Sequence, residues 1–297
     1  MGPAMKAGII GLGAMGLPMA RNLHRAGLLE GAFNRTASKA EALAAETGCR
    51  AFASPPELAA ACPFVVTCVP ADDDLLGVVE ALRPELKPGS IVIDCSTVAA
   101  DTARTAARRL SESGSAFLDC PVSGGVEGAR NATLAIMCGG EVEAFERARP
   151  VLEALGKTIV LMGPSGAGQA TKATNQILCA GAIQVAAEAM AFAKAEGLPL
   201  DRVIEILGKG AGASWYFVNR APFMARGEYP AGFRLRLHDK DLRICRAMAA
   251  RHGAVLPIVE TTLADYAKLL AAGHGEEDIS TIFRLKEPLF PQGGSDG

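Results

Sequence analysis

The first half of the chain alternates short apolar runs with helical segments, the pattern of a parallel sheet joined by crossover helices. The runs are Ala7 to Ile10, Leu28 to Phe33, Phe64 to Val69, Ser90 to Asp94, Ala116 to Asp119, Thr133 to Cys138 and Thr158 to Leu161. Pro55, Pro63, Pro84, Pro88 and several glycines punctuate them. After Gly163-Pro164-Ser165-Gly166 the pattern changes. Gly168 to Glu196 contains no proline and is rich in Ala, Ile, Met and Gln, which predicts one long helix closed by Gly197 and Pro199. Helical segments follow over Asp201 to Leu207, Trp215 to Met224, Lys240 to His252, Ile258 to Ala272 and Asp278 to Lys286, with Asp201 and Asp278 as candidate caps. The expected organisation is an α/β domain over 1–164, an all-helical domain over 165–290 and a flexible tail over 291–297. The long helix is apolar around more of its circumference than a surface helix should be. It is therefore expected between domains or between the subunits of a homodimer or homotetramer.

Composition narrows the class. With 297 residues, 49% hydrophobic and 21% charged, the chain has the balance of a globular protein of about two domains, not of a disordered, collagenous or disulfide-rich one. Thirty basic against 32 acidic residues leave a net charge of -2, so no overall field would hold nucleic acid or an anionic membrane. A small molecule is the expected partner. The most apolar stretch, Ile177 to Ala193, is interrupted by Gln184 and Glu188 and falls short of the ~18 apolar residues of a membrane span, so none is expected. Eight cysteines form no Cys-x-x-Cys pair and mostly sit in apolar runs, as small buried hydrophobes of a reducing compartment do. Met1 to Met5 reads as a loose extension without a signal-peptide pattern, which points to the cytoplasm.

Candidate chemistry begins at Gly11-Leu12-Gly13-Ala14-Met15-Gly16, between the first strand and the first helix. In that context Gly11 permits the tight turn, Gly13 lets the backbone approach a pyrophosphate, and Gly16 allows close helix-to-strand packing. The alternative is a turn and nothing more. The fold class expected is thus a Rossmann-type dinucleotide-binding domain followed by an all-helical domain built on the long interdomain helix. At the end of the second strand stands Phe33-Asn34-Arg35-Thr36, without the carboxylate that would accept from the ribose hydroxyls of NAD. Arg35 offers a fork of donors to a 2′-phosphate and Thr36 a hydroxyl, so NADP(H) is expected ahead of NAD(H). Val69 and Pro70, ending the third run, complete the cofactor contacts expected.

Asp119-Cys120-Pro121-Val122-Ser123-Gly124-Gly125-Val126-Glu127-Gly128-Ala129 lies at the carboxyl end of a strand, where open α/β sheets place ligands. Its Ser123-Gly124-Gly125 could surround a carboxylate with backbone amides, though an ordinary turn fits the spacing equally. Gly168 to Gln176 opens the long helix, and offsets of three and four put Lys172, Asn175 and Gln176 on one face, with Gly168 leaving space beside them.

From residue 6 to about 286 the chain resembles the β-hydroxyacid dehydrogenases. Their GxGxMGxPMA dinucleotide segment is matched letter for letter by Gly11 to Ala20, and their DxPVSGGxxGA motif by Asp119 to Ala129. Gly168, Lys172 and Asn175 match GxxxKxxN, Cys95-Ser96-Thr97 a CST segment, and Lys240-Asp241-Leu242 a KDL motif. The resemblance implies that Ser123, Gly124 and Gly125 hold the substrate carboxylate, Lys172 is the acid/base and Asn175 orients the substrate. It also implies that Thr97 contacts the cofactor, Lys240 lies beside the nicotinamide and Asp241 helps complete the site. Two departures are Asn131-Ala132-Thr133, where Gly-Thr is usual, and Asn175-Gln176, where Asn-Asn is common.

The activity implied is hydride transfer between NADP(H) and a small 3-hydroxy acid or semialdehyde. An exposed lysine near pKa 10.4 is a poor base, so burial of Lys172 or a neighbouring cation such as Lys240 is required. A non-catalytic cofactor-binding module and an imine reductase are the alternatives, and Lys172 argues against both. Asp72-Asp73-Asp74 reads as a helix start rather than a metal site. The four histidines lack ligand spacing, so no metal is proposed. His238 is expected on the surface or in the core rather than in the site. Trp215, Tyr216 and Phe233 could wall a pocket or simply pack, and Arg104 and Arg108 read as solvated.

Overall fold

Strand residues that are apolar without a break must be covered on both faces, and the strands Ala7–Ile10, Phe64–Thr67 and Ile91–Asp94, inside a sheet of nine strands among the described residues, meet that demand by being buried along their whole length. The structure, a computed structural model, describes residues 5–290. The tail expected at 291–297 and most of the amino-terminal extension lie outside the described residues. The strands are β1 (Ala7–Ile10), β2 (Leu29–Phe33), β3 (Arg50–Ala51), β4 (Phe64–Thr67), β5 (Ile91–Asp94), β6 (Ala116–Asp119), β7 (Val122–Ser123), β8 (Leu134–Gly139) and β9 (Gly156–Gly163). Between and after them run α1 (Gly16–Arg25), α2 (Ala37–Thr47), α3 (Pro55–Ala61), α4 (Asp72–Leu82), α5 (Ala100–Ser111), α6 (Gly125–Asn131) and α7 (Val142–Glu153).

The sheet order is β3-β2-β1-β4-β5-β6-β8-β7, with β9 beside β8. From β3 to β6 all pairings are parallel, and β8 meets β6 and β7 antiparallel. The order reverses between β1 and β4, which opens a crevice at their carboxyl ends. Ile9, Val66, Ile93 and Leu118 face one apolar cluster with Met19, Phe145 and Leu152. Their neighbours Ile10, Val65, Val92 and Phe117 face another with Leu58, Val79 and Leu110.

The second part of the chain is helical: α8 (Ala167–Ala195), α9 (Leu200–Leu207), α10 (Trp215–Arg226), α11 (Leu235–Ala250), α12 (Pro257–Ala271) and α13 (Phe283–Lys286). Compact units divide between Lys172 and Ala173, inside α8. The second unit has its own core, in which Ala180, Ile183, Ala187 and Met190 of α8 meet Met224, Leu242, Leu263 and Tyr266.

Several expectations shift. The strands β3 and β7, two residues each, carry no readable period and were not expected. Helix α11 starts at Leu235, not Lys240, which places Lys240 and Asp241 within its second turn. Pro199 occupies the N-cap of α9, so Asp201 complements the helix dipole from the first turn instead of capping it. Asp278 does cap, accepting from Ser280 N at 3.0 Å, but of a 3₁₀ turn that precedes α13. Asp72 to Asp74 open α4, as expected of a helix start.

The expectation about membrane spans also changes. Helix α8 is longer than the stretch considered and contains an 18-residue window of mean hydropathy 1.4, so by length and composition alone it could cross a bilayer. Half of that window is buried inside the protein, as in a core helix. No disulfide joins the eight cysteines, and six of them are buried.

Candidate active site

The glycine loop is built as a cradle. Gly11 has φ +98°, and a Cβ there would lie 2.2 Å from the carbonyl oxygen of Cys68, so only glycine fits. At Gly16 a Cβ would lie 1.8 Å from the Gly11 carbonyl oxygen, so the tight approach is between helix and loop rather than helix and strand. Gly13 has no heavy atom within 4 Å of that position, leaving its backbone open to a ligand. The first intrahelical bond runs from Leu17 N to Gly13 O, so the amides of Ala14, Met15 and Gly16 precede the ladder and point out of the positive end of α1. Leu12 is buried in the core, and its N–H donates to Asn34 Oδ1 at 2.8 Å. Asn34 Nδ2 in turn donates to Thr36 O at 3.0 Å, so Asn34 ties the two loops together. Open backbone, outward amides and a polar rim fit a dinucleotide.

Arg35 is 85% exposed at its side chain, with Nη1 3.2 Å from Asp74 Oδ1. Thr36 is the N-cap of α2 without a side-chain capping bond. At the ends of β4, β5 and β6, Thr67, Asp94 and Asp119 stand in register and fully buried. Asp94 Oδ1 accepts from Thr67 Oγ1 at 2.7 Å and Ser96 Oγ at 2.6 Å, and Ser96 Oγ accepts from Val69 N at 2.9 Å. Burial pushes the Asp94 carboxyl up to about 6 against these bonds. Asp119 accepts from Gly166 N at 2.7 Å and Gln169 N at 2.9 Å, caps the start of α8, and is raised by burial. Neither carboxylate is given a role by the sequence, although Asp119 opens the DxPVSGGxxGA match; polar residues ending apolar strands are the signal for both.

Ser123 sits on β7 opposite Ala135 of β8. Gly124 (φ +126°) and Gly125 (φ +62°) then turn the chain into α6, and no heavy atom lies within 4 Å of a Cβ on Gly125. The departure at Ala132 is visible too, since its φ is +54° where the family pattern has glycine. Gly168, expected to leave space beside Lys172, Asn175 and Gln176, is hemmed in by the sheet instead. A Cβ there would lie 2.3 Å from Asp119 O and 2.4 Å from Met137 O, so this glycine lets α8 start against the sheet. Lys172 follows in the next turn, 8% exposed.

A second polar group forms within the helical unit. Asn175 Nδ2 donates to Gln176 Oε1 at 2.9 Å, and buried Gln176 donates from Nε2 to Asp241 Oδ2 at 2.7 Å. Lys240 Nζ lies 3.2 Å from Asp241 Oδ1. Gln176 thus uses its extra methylene to reach Asp241, a role its departure from Asn-Asn did not reveal. His238 belongs to the core, with Nδ1 2.9 Å from the Tyr266 hydroxyl and Nε2 3.3 Å from Gln176 O. Phe233 packs on His238 at 5.2 Å between centroids, whereas Trp215 is half exposed. Arg104 pairs with Asp101 at 2.6 Å on the surface. Among the described residues no three His, Cys, Asp or Glu side chains form a metal-holding group.

The family described as the NAD binding domain of 6-phosphogluconate dehydrogenase matches residues 6–163. The family described as NAD-binding of NADP-dependent 3-hydroxyisobutyrate dehydrogenase matches residues 166–286. The chain belongs to the β-hydroxyacid dehydrogenases. It is 36% identical to the NAD-dependent L-serine dehydrogenase of Pseudomonas aeruginosa over 95% of this chain and 98% of that one. The 3-hydroxyisobutyrate dehydrogenase from Salmonella typhimurium superposes with TM-score 0.85 at 33% identity, covering 95% of this chain and 99% of that one. The Mycobacterium tuberculosis 3-hydroxyisobutyrate dehydrogenase solved with L-serine gives 0.87 at 32%, with the same coverage. An imine reductase from Pseudomonas sp. gives 0.62 at 20% identity, a likeness of fold alone. The chain is thus an NAD(P)-binding oxidoreductase of the hydroxyacid dehydrogenase family, with a Rossmann-type domain followed by a helical one.

Proposed function

We propose that this dehydrogenase interconverts a small 3-hydroxy acid and its semialdehyde with NADP(H), using Lys172 as general acid/base. The observation that carries the reading is Lys172 itself, 8% exposed and one turn inside a helix whose start is capped by buried Asp119. The burial that a useful acid/base lysine requires is therefore present. Lys240, the cation expected to assist it, has its charge balanced by Asp241 at 3.2 Å, so burial is the stronger support.

Gly11 to Gly16 would hold the pyrophosphate, Arg35 and Thr36 the 2′-phosphate, and Val69, Pro70, Thr97 and Lys240 the remainder. The bound nicotinamide supplies hydride to the carbonyl carbon or accepts it from the carbinol carbon. As the carbonyl is reduced, Lys172 Nζ gives a proton to the developing alkoxide; in oxidation it removes the hydroxyl proton. Amides of Ser123 to Gly125 receive the substrate carboxylate, and Asn175 with Asp241 orients the reacting carbon. The names of the relatives, a serine and a hydroxyisobutyrate dehydrogenase, both denote 3-hydroxy acids, which supports this substrate class. The serine enzyme's NAD dependence keeps NAD(H) as the alternative cofactor. Action in the cytoplasm as a homodimer or homotetramer, on a small carboxylate and without nucleic acid or membrane, completes the proposal.

The test is oxidation of NADPH and NADH across glyoxylate and tartronate, succinic and methylmalonate semialdehydes, with Lys172→Ala and Lys172→Arg alongside wild type. Positioned acid/base catalysis is worth about 10² to 10⁴ in rate, so Lys172→Ala should lose that much kcat while the fold survives. Arginine keeps the charge but not the transferable proton and should be nearly as slow. Wild-type turnover in Lys172→Ala would end the assignment; turnover in Lys172→Arg alone would leave only a charge role.

A further inference from the structure

Gln169, in the first turn of α8 and buried, makes two side-chain hydrogen bonds that the mechanism above does not use. Its Nε2 donates to Ser96 O at 2.9 Å, and its Oε1 accepts from Val98 N at 3.2 Å. Ser96 and Val98 flank Thr97, so one side-chain amide brackets that residue's backbone as a neighbouring strand would. Its own N–H donates to Asp119 Oδ2 at 2.9 Å. Ser96 passes the connection on, accepting at Oγ from Val69 N at 2.9 Å and donating to Asp94 at 2.6 Å. One run of buried hydrogen bonds therefore joins the loops after β4 and β5 to the helix start, three residues before Lys172.

We propose that Gln169 is a positioning residue that holds the Thr97 loop in its cofactor-binding conformation, in register with the turn of α8 that carries Lys172. This rests on the dinucleotide reading of the loops given above. The position needs one donor and one acceptor on a planar group. Leucine leaves a buried carbonyl and a buried N–H without partners, which costs more than a missing contact. An ionised glutamate offers only acceptors and repels Ser96 O, whereas a neutral glutamic acid reproduces the amide pattern, with O–H for N–H. The carboxylate of Asp119 accepts from the N–H of residue 169, and that of Asp94 is bonded by Ser96, whose carbonyl the residue 169 side chain meets. Lys172 lies on the same helix, and Arg104 lies within 3.0 Å of where a Cβ on Gly166 would be. Burial and the two carboxylates favour the neutral acid at the lower end of the pH range, against the two cations.

The experiment is calorimetric titration of wild type, Gln169→Leu and Gln169→Glu with NADP⁺, from about pH 6 to about pH 9, with kcat and KM measured in parallel. Gln169→Leu should raise Kd about tenfold relative to wild type at every pH. Gln169→Glu should bind like wild type at the acid end and approach the leucine variant at the alkaline end. A structural role alone would not make cofactor affinity follow the ionisation of one introduced carboxyl. The proposal is overturned if Gln169→Glu parallels wild type or the leucine variant across the whole range, or if Gln169→Leu keeps wild-type Kd. Wild type that binds neither NADP⁺ nor NAD⁺ would instead remove the dinucleotide reading, and this proposal with it.

Discussion

Arg35 stands alone at the carboxyl end of β2 as a charged candidate for the adenosine end of the cofactor. Its ion pair with Asp74 is exposed, and such pairs contribute about 0 to 1 kcal/mol, so a ligand phosphate can compete for the guanidinium at little cost. Arg35→Asp should therefore leave the melting temperature nearly unchanged. Two aspartates would then face the 2′-phosphate, lowering kcat/KM for NADPH by about tenfold or more, with a far smaller effect on NADH. Equal losses with both cofactors would show that the residue does not read the phosphate. At the same scale Gly11, Gly13 and Gly16 were legible by spacing, because each answers a backbone demand that a local motif encodes. Gly168 was not, since the carbonyls it avoids belong to Asp119 and Met137, far away in the chain.

Helix α8 shows what a pattern along one element can carry. Its ends were read within a residue, Ala167–Ala195 against 168–196, because glycines punctuate both. Along it Leu178, Val185 and Phe192 recur every seven residues and are 69%, 64% and 54% exposed. A seven-residue apolar repeat presents one seam to another helix, and the same seam on a second copy is self-complementary. If homo-oligomerisation uses this seam, Leu178→Glu with Val185→Glu should shift sedimentation toward the monomer without unfolding the chain. An unchanged assembly would place any interface elsewhere. The opposite face of α8 is core, and Lys286 ties it down through Glu188 at 3.2 Å and Asp265 at 3.0 Å.

For the whole molecule, the row of buried polar groups under the crevice makes stability depend on pH. Asp94 Oδ2 is buried without a hydrogen-bond partner, and the carboxyl rises from 3.8 to about 6. Between those values the folded chain keeps a proton that the unfolded chain has lost, so stability falls as pH rises through the window and the loss is complete above it. The shift corresponds to at most about 3 kcal/mol. Asp265 contributes the opposite slope at lower pH, because Lys286 and Gln184 outweigh its burial and hold it below the ordinary range. Asp94→Asn keeps an acceptor for Thr67 and Ser96 without the charge. Its melting temperature should therefore decline less than that of wild type between about pH 4 and pH 7. Parallel curves would show that Asp94 does not titrate there.

Read from the chain alone, the parallel sheet, the dinucleotide loop, the long helix and the family all follow from local information. Continuous apolar runs require burial on both faces, glycines at fixed spacing require particular backbone shapes, and five motifs occur in one order. Tertiary structure decided the rest. That Asp94 and Asp119 end adjacent strands in register, that Gln169 brackets Thr97, and that Gln176 reaches Asp241 are all pairings across 25 to 73 residues of chain. No local period records such pairings. Side-chain hydrogen bonds are short and directional, so their partners exist only once the backbone has brought distant segments within about 3 Å.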